Sequence, residues 1–170
     1  MARIFSLISG MLLVITLGGC TVKYSASGAS IDPEAKTVNV RFIENRAPQN
    51  NPTLSQKVTD KLRMKILSQT RLTQTNEANA DYEFKGNITG YSVSNAAVTQ
   101  IDKPATARLT ITVNITFVKR VGDKKGYTQS FSRSQDFNAN QTLPEVESGL
   151  IESITPQLID DIFNRAFANW

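Results

Sequence analysis

The stretch RLTITVNITFVK, residues 108–119, sets the strictest condition on what this chain can fold into. In an extended chain Leu109, Ile111, Val113, Ile115 and Phe117 point one way and Thr110, Thr112, Asn114 and Thr116 the other. Five large apolar side chains on one face demand a covering layer, because their burial drives the fold. The opposite face offers hydroxyls and an amide without charge, and is left for solvent or a partner.

The covering layer is legible as two helical stripes. Leu54, Val58, Leu62 and Ile66 recur every fourth residue and are joined by Leu67, with Lys57, Lys61, Arg63 and Lys65 on the other faces. Asn51 and Pro52 occupy cap and first-residue positions, and the helix is expected to end near Thr70. A second stripe runs Val146, Leu150, Ile154, Leu158, Ile162 and Ala166, flanked by Ile151, Ile159 and Phe163. It opens at Thr142, where TLPE has capping-box spacing, and Pro156 is expected to kink or divide it.

Three more strands complete the sheet. Val38, Val40 and Phe42 alternate with Thr37, Asn39 and Arg41, and the segment ENRAPQNNP that follows reads as a loop. TRLTQT is a candidate strand start. Tyr82, Phe84 and Ile88 share one face, whereas Tyr91 and Val93 have the opposite parity, which predicts a bulge or bend near Gly90. The turn VGDKKG leads into YTQSFSRSQDF, where Tyr127 and Phe131 carry the pattern less cleanly. The expected fold is α+β, a two-layer sandwich of order β-α-β-β-β-α with two helices on one face of a four-stranded sheet.

Catalytic chemistry finds little material. The chain has no His and one Cys, so zinc, haem and Cys–His sites lack their ligands. Asp160 and Asp161 diverge by about 100° on a helix and cannot share a substrate. Asp81 and Glu83 share a strand face without a nucleophile, and no phosphate-binding glycine loop is present. No catalytic residue, metal or cofactor is expected. Residues 20–140 hold seventeen Lys and Arg against ten Asp and Glu, whereas residues 141–170 hold five acidic side chains against Arg165 alone. A basic body suits a phosphate-bearing partner, and for an exported chain that means anionic lipid rather than nucleic acid.

Export is read from the start of the chain. After Arg3 an apolar run, too short for a comfortable permanent span, leads to LGGC at residues 17–20. Leu17, Gly18, Gly19 and Cys20 have lipobox spacing, and a lone Cys in an exported chain has no internal disulfide partner. Cys20 is therefore expected to carry acyl chains, each buried CH₂ adding about 0.8 kcal/mol of membrane affinity. Residues 1–19 would be the signal, 20–33 a flexible leash and 34–170 one domain. The resemblance of LGGC to bacterial lipoproteins implies, from Thr21 in place of a retaining Asp and from the absence of an acidic cluster in TVKYSASG, the periplasm-facing leaflet of the outer membrane.

SGASIDPEAKTVNV, ENRAPQNNPTLSQKVTDKL, QTRLT, FKGNITGYSV, RLTITVNITFV, SFSRSQDF and LIDDIFNRAFANW, in that order, resemble the LptE lipopolysaccharide-assembly lipoproteins of the Bacteroidota type. The resemblance implies an outer-membrane lipoprotein that plugs and helps assemble a large β-barrel partner, LptD, and serves lipopolysaccharide delivery to the cell surface. It also implies lipopolysaccharide-binding basic residues in the loop before the central strand, where Lys103 and Arg108 lie here. A second basic site is implied in the loop entering the last helix, but that loop reads FNANQTLP and has none. Thr110, Thr112, Asn114 and Thr116 are the candidate partner-facing row. A periplasmic lipoprotein scaffold for cell-wall synthesis or a secretion complex is the alternative class.

Overall fold

The computed structural model describes residues 30–49, 51–96 and 106–168. Its elements are β1 (Thr37–Val40), β2 (Glu44–Asn45), α1 (Leu54–Gln69), β3 (Thr73–Gln74), β4 (Tyr82–Ala96), β5 (Thr106–Lys119), β6 (Gly126–Asn138) and α2 (Leu143–Phe167). The strands form one mixed sheet in the order β3-β1-β4-β5-β6, with β2 also paired to β4. β1 runs parallel to β3 and β4, and β4, β5 and β6 form an antiparallel meander. Both helices pack on one face, as the apolar stripes require.

The alternation of β5 is obeyed without exception. Leu109, Ile111, Val113, Ile115 and Phe117 are buried in one core with Leu54, Val58, Leu62 and Ile66 of α1 and Leu150, Ile154, Leu158 and Ile162 of α2, with α2 lying over β5 and β6 and α1 over β1, β2 and β3. At one end of the sheet Tyr82, Phe84, Phe117, Phe163 and Phe167 form a ring cluster, with centroids 4.8 to 6.1 Å apart. Such tilted contacts add to the burial of each ring.

Four expectations need correction. Besides the four expected strands the sheet holds two short ones: β3 falls within TRLTQT, the candidate strand start, and only β2 is unforeseen. Glu44–Asn45, inside the segment read as a loop, pairs in parallel with Asn87 and Ile88. The cap position of α1 falls at Thr53, two residues later than expected and without a side-chain capping bond, while Asn51 Oδ1 accepts from the Thr53 amide and hydroxyl at 2.9 and 2.8 Å. Leu67 is 43% exposed and Met64 60%, so neither belongs to the core. Pro156 does not divide α2, which continues through it to Phe167.

Other expectations hold. The α2 capping box closes, the Thr142 amide donating to Glu145 Oε2 at 2.7 Å. The β4–β5 register shifts between Ile88 and Gly90, leaving Thr89 as the bulged residue. That slip turns Tyr91 inward onto the core. The lysines of α1 meet α2 in ion pairs: Glu152 takes Lys57 and Lys61 at 2.9 Å each, and Lys65 reaches Asp160 at 2.8 Å.

The parallel strand β1 is tied to β4 by one carboxylate. Asp81 Oδ2 accepts from the amides of Lys36 and Thr37 and from the Thr37 hydroxyl, each at 2.9 Å. The described chain enters beside the end of α2, where the Ser30 amide donates to the Phe167 carbonyl at 2.6 Å. At the far side β6 ends the strand order with thirteen residues, whereas β3 ends the other side with two. No helix among the described residues is long and apolar enough to cross a membrane.

Candidate functional site

The face of the sheet turned away from the helices is the largest feature the core does not use. Its centre is the expected row Thr110, Thr112, Asn114 and Thr116, all half-buried between the flanking strands. Register sets their neighbours: Ser92 and Ser134 beside Thr110, Gly90 and Ser132 beside Thr112, Asn87 and Ser130 beside Asn114, Lys85 and Thr128 beside Thr116. Cross-strand contacts lock the rows together. Thr112 Oγ1 and Ser132 Oγ lie 3.0 Å apart, Asn114 Nδ2 donates to Ser130 Oγ at 3.2 Å, and Thr116 and Thr128 hydroxyls meet at 3.0 Å. These pairs are the unit of sheet stabilisation.

The outer rows were missed in the sequence. Thr128, Ser130, Ser132 and Ser134 stand at every second position of SFSRSQ and its approach, and are exposed. Their alternation was the available signal, but serine is a weak strand former and drew no attention. Gly90 lets the lattice close, since a Cβ there would sit 3.1 Å from Thr112 Cβ.

Charge lies at the two ends of this face and on its β2 flank, where Glu44, in register with Asn87, is paired to Arg46 at 2.9 Å. At one end Arg108 grips Asp136, with Nε to Oδ1 at 2.5 Å and Nη2 to Oδ2 at 2.9 Å. That hydrogen bond, with the charge of Asp136, holds the guanidinium pKa up, and its counterpart holds Asp136 below the usual carboxylate range. A phosphate approaching Arg108 must therefore displace or share it with Asp136. Lys103 lies outside the described residues, as does Cys20.

At the other end stands Glu83, only 2% exposed and clamped between Arg41 and Arg120. Burial pushes its pKa up, but the Arg120 hydrogen bond and the charges of both guanidiniums outweigh burial, so the carboxyl sits below its usual range. Asp81 is likewise low, because the Lys36 and Thr37 amides bond its ionised form. The two carboxylates singled out in the sequence are thus structural ties. Between the charged ends the β5 and β6 rows can donate and accept hydrogen bonds without desolvating an ion. Among the described residues no group of three His, Cys, Asp or Glu could hold a metal ion.

Solved structures share this architecture. A hypothetical protein from Chlamydia trachomatis superposes with a TM-score of 0.52 at 8% identity, covering 76% of this chain and 96% of that one. A protein from Xanthomonas campestris gives 0.53 at 10% identity, over 79% and 87%. The rare lipoprotein B from Shewanella oneidensis gives 0.43 at 14% identity, over 75% and 92%. At such identities the first two report the fold and nothing more. No curated protein sequence matches the chain. The family model described as LptE, lipopolysaccharide-assembly, matches residues 35–166, from the entry into β1 to the last turn of α2. With that match spanning the whole sheet and both helices, the chain belongs to the LptE lipopolysaccharide-assembly family.

Proposed function

We propose that this chain is a non-enzymatic outer-membrane lipoprotein that sits in the lumen of an LptD-like β-barrel, helps that barrel assemble, and serves lipopolysaccharide transport. In this reading residues 1–19 are a cleaved signal, Cys20 carries the lipid, residues 20–33 are the leash and residues 34–170 the plug. The anchor faces the periplasm. Family membership supports the reading. The observation that carries it is the open face of β4, β5 and β6, an uncharged hydroxyl and amide lattice bounded by Lys85 at one end and the Arg108–Asp136 pair at the other. The lumen of a large outer-membrane barrel is polar and wet, so its wall meets such a face with hydrogen bonds and bridging water.

Lys103 and Arg108 are the proposed contacts for lipopolysaccharide phosphates, Arg108 standing at the end of the same face where β5 begins. Photo-crosslinking in living cells tests the docking face. A probe at Thr112 or Asn114 is expected to capture a large barrel, and a probe at Lys57, which is paired to Glu152 on the helix layer, is expected not to. Capture from Lys57 alone would reverse the docking face. Capture of an inner-membrane synthase, with no barrel from any position, would favour the scaffold alternative instead.

A further inference from the structure

We propose that the end of the domain formed by Ser30, the β5–β6 turn and the last turn of α2 is a docking surface for an anionic phospholipid leaflet. The inference rests on the reading of Cys20 as the lipidated residue, and it adds an orientation to the anchor.

The length of chain before the domain sets the first condition. Nine residues, 21–29, separate Cys20 from Ser30, and fully extended they span about 30 Å. Ser30 is fixed on the domain by its bond to the Phe167 carbonyl, and Asp32 by its amide bond to the Tyr82 hydroxyl at 3.0 Å. The tether therefore leaves from one defined end. β5 reaches that end after fourteen residues, about 45 Å, so the end of the sheet where β5 begins is the remote one. An acyl-anchored molecule keeps its tethered end nearest the lipid.

Charge supplies the second condition. Around Ser30 a cavity of about 360 Å³ is lined by Lys119, Lys125 and Arg165, with Asp123 as its acidic member. Lys119 is held between Asp123 at 2.7 Å and Asp32 at 3.7 Å. Asp123 is shared with Lys125 at 3.7 Å, a side chain 82% exposed, so Lys119, Lys124, Lys125 and Arg165 stand against Asp32 and Asp123 and leave two cations in surplus. On the entering segment Glu34 is offset by Lys36, and by Arg71 through its bond to the Pro33 carbonyl. The opposite end of α2 carries Glu145 and Glu147. Along α2 the charge thus runs from acidic at its start to basic at the end beside the tether, the arrangement an anionic surface selects.

The turn itself is the third observation. Lys124 has a φ of 48°, in the left-handed region that glycine adopts freely and a lysine does not. Gly122, at 62°, precedes it in the same turn, and Gly126 opens β6 just after. A lysine is kept at the exposed tip against the preference of its own backbone, as functional positions often are.

The test uses the full lipidated protein, reconstituted on vesicles of phosphatidylcholine alone or of phosphatidylcholine with phosphatidylglycerol. Flotation reads the acyl anchor, and amide hydrogen exchange reads the turn at residues 121–126. The protein is expected to float with both vesicles, while turn exchange slows severalfold only on the anionic ones and recovers in high salt. Lys124→Glu with Lys125→Glu is expected to abolish the slowing, with exchange in β4 and β5 unchanged as a control of folding. Flotation with equal turn exchange on both vesicles would overturn the proposal and leave the acylated Cys20 standing. Slowing that survives salt or the double variant would also overturn it, because the contact would not be electrostatic. Failure to float on phosphatidylcholine would remove the anchor itself and the proposal with it.

Discussion

Tyr91 shows how much a single slipped residue decides. Because Thr89 is bulged out, Tyr91 turns into the core and its hydroxyl donates to Glu147 Oε1 on α2. Burial, then that bond and the charge of Glu147, push its pKa far up, so the phenol stays protonated and donating. Tyr91→Phe is expected to cost about 1.5 kcal/mol, since a buried bond to a charged acceptor is lost. A lower urea midpoint at unchanged m-value would report it. Glu83 works in the opposite electrical sense. Its folded pKa lies below the ordinary 4.5, so its contribution is complete above that pH and is lost as acid protonates the folded form. Glu83→Gln is expected to cost roughly 3 kcal/mol at neutral pH, because two guanidiniums lose their shared carboxylate. The variant should also show a flatter acid limb in stability against pH. An unchanged neutral stability would mean that solvent already satisfies Arg41 and Arg120.

Among the elements, the β4–β5 ladder is the most exacting. At Gly86 an added Cβ would lie 2.1 Å from the Asn114 carbonyl oxygen, which belongs to the neighbouring backbone and cannot move aside. Gly86→Ala is expected to unpair the centre of the sheet and leave the chain largely insoluble. Gly149→Ala is the contrasting change. Nothing lies within 4 Å of the new methyl, and alanine in a helix is favoured over glycine by about 1 kcal/mol, so its thermal midpoint should rise. The elements with a long period could be read from sequence: the nine-residue alternation of β5 and both four-residue stripes define their own faces. Two-residue strands have no period to read, and β2 and β3 exist only because β4 and β1 lie beside them. Leu67 follows Ile66 by about 100° around the helix, which carries it off the buried stripe. The same limit governs the site. The Thr–Asn row of β5 was legible, but the Asp136 that occupies Arg108 lies twenty-eight positions on and becomes its neighbour only through the β5–β6 register.

At the scale of the molecule, the helix layer is held to itself by charge as well as by its apolar stripe. Glu152 bridges Lys57 and Lys61, and the Lys57 bond first, then the Lys61 bond, push its pKa down to about 2. A depressed folded pKa means that this link contributes fully above about pH 4.5 and fades as pH falls toward 2. Glu152→Gln should therefore lower the thermal midpoint slightly at neutral pH, and the difference from the unaltered protein should vanish near pH 2. The group is exposed, so salt should erase most of the effect. The strand order carries a consequence in time as well as in space. β1 lies between β3 and β4, and Val38 waits for Tyr82, forty-four residues downstream, before it has a neighbour on that side. A chain made from its N-terminus thus presents its central parallel strand first and completes it only after α1 and β3 have emerged. The cover over β5 comes later still, from α2 at the C-terminal end. Until the last helix is released the apolar face stays open, so a nascent or truncated chain is a client for holding factors rather than a smaller version of the fold.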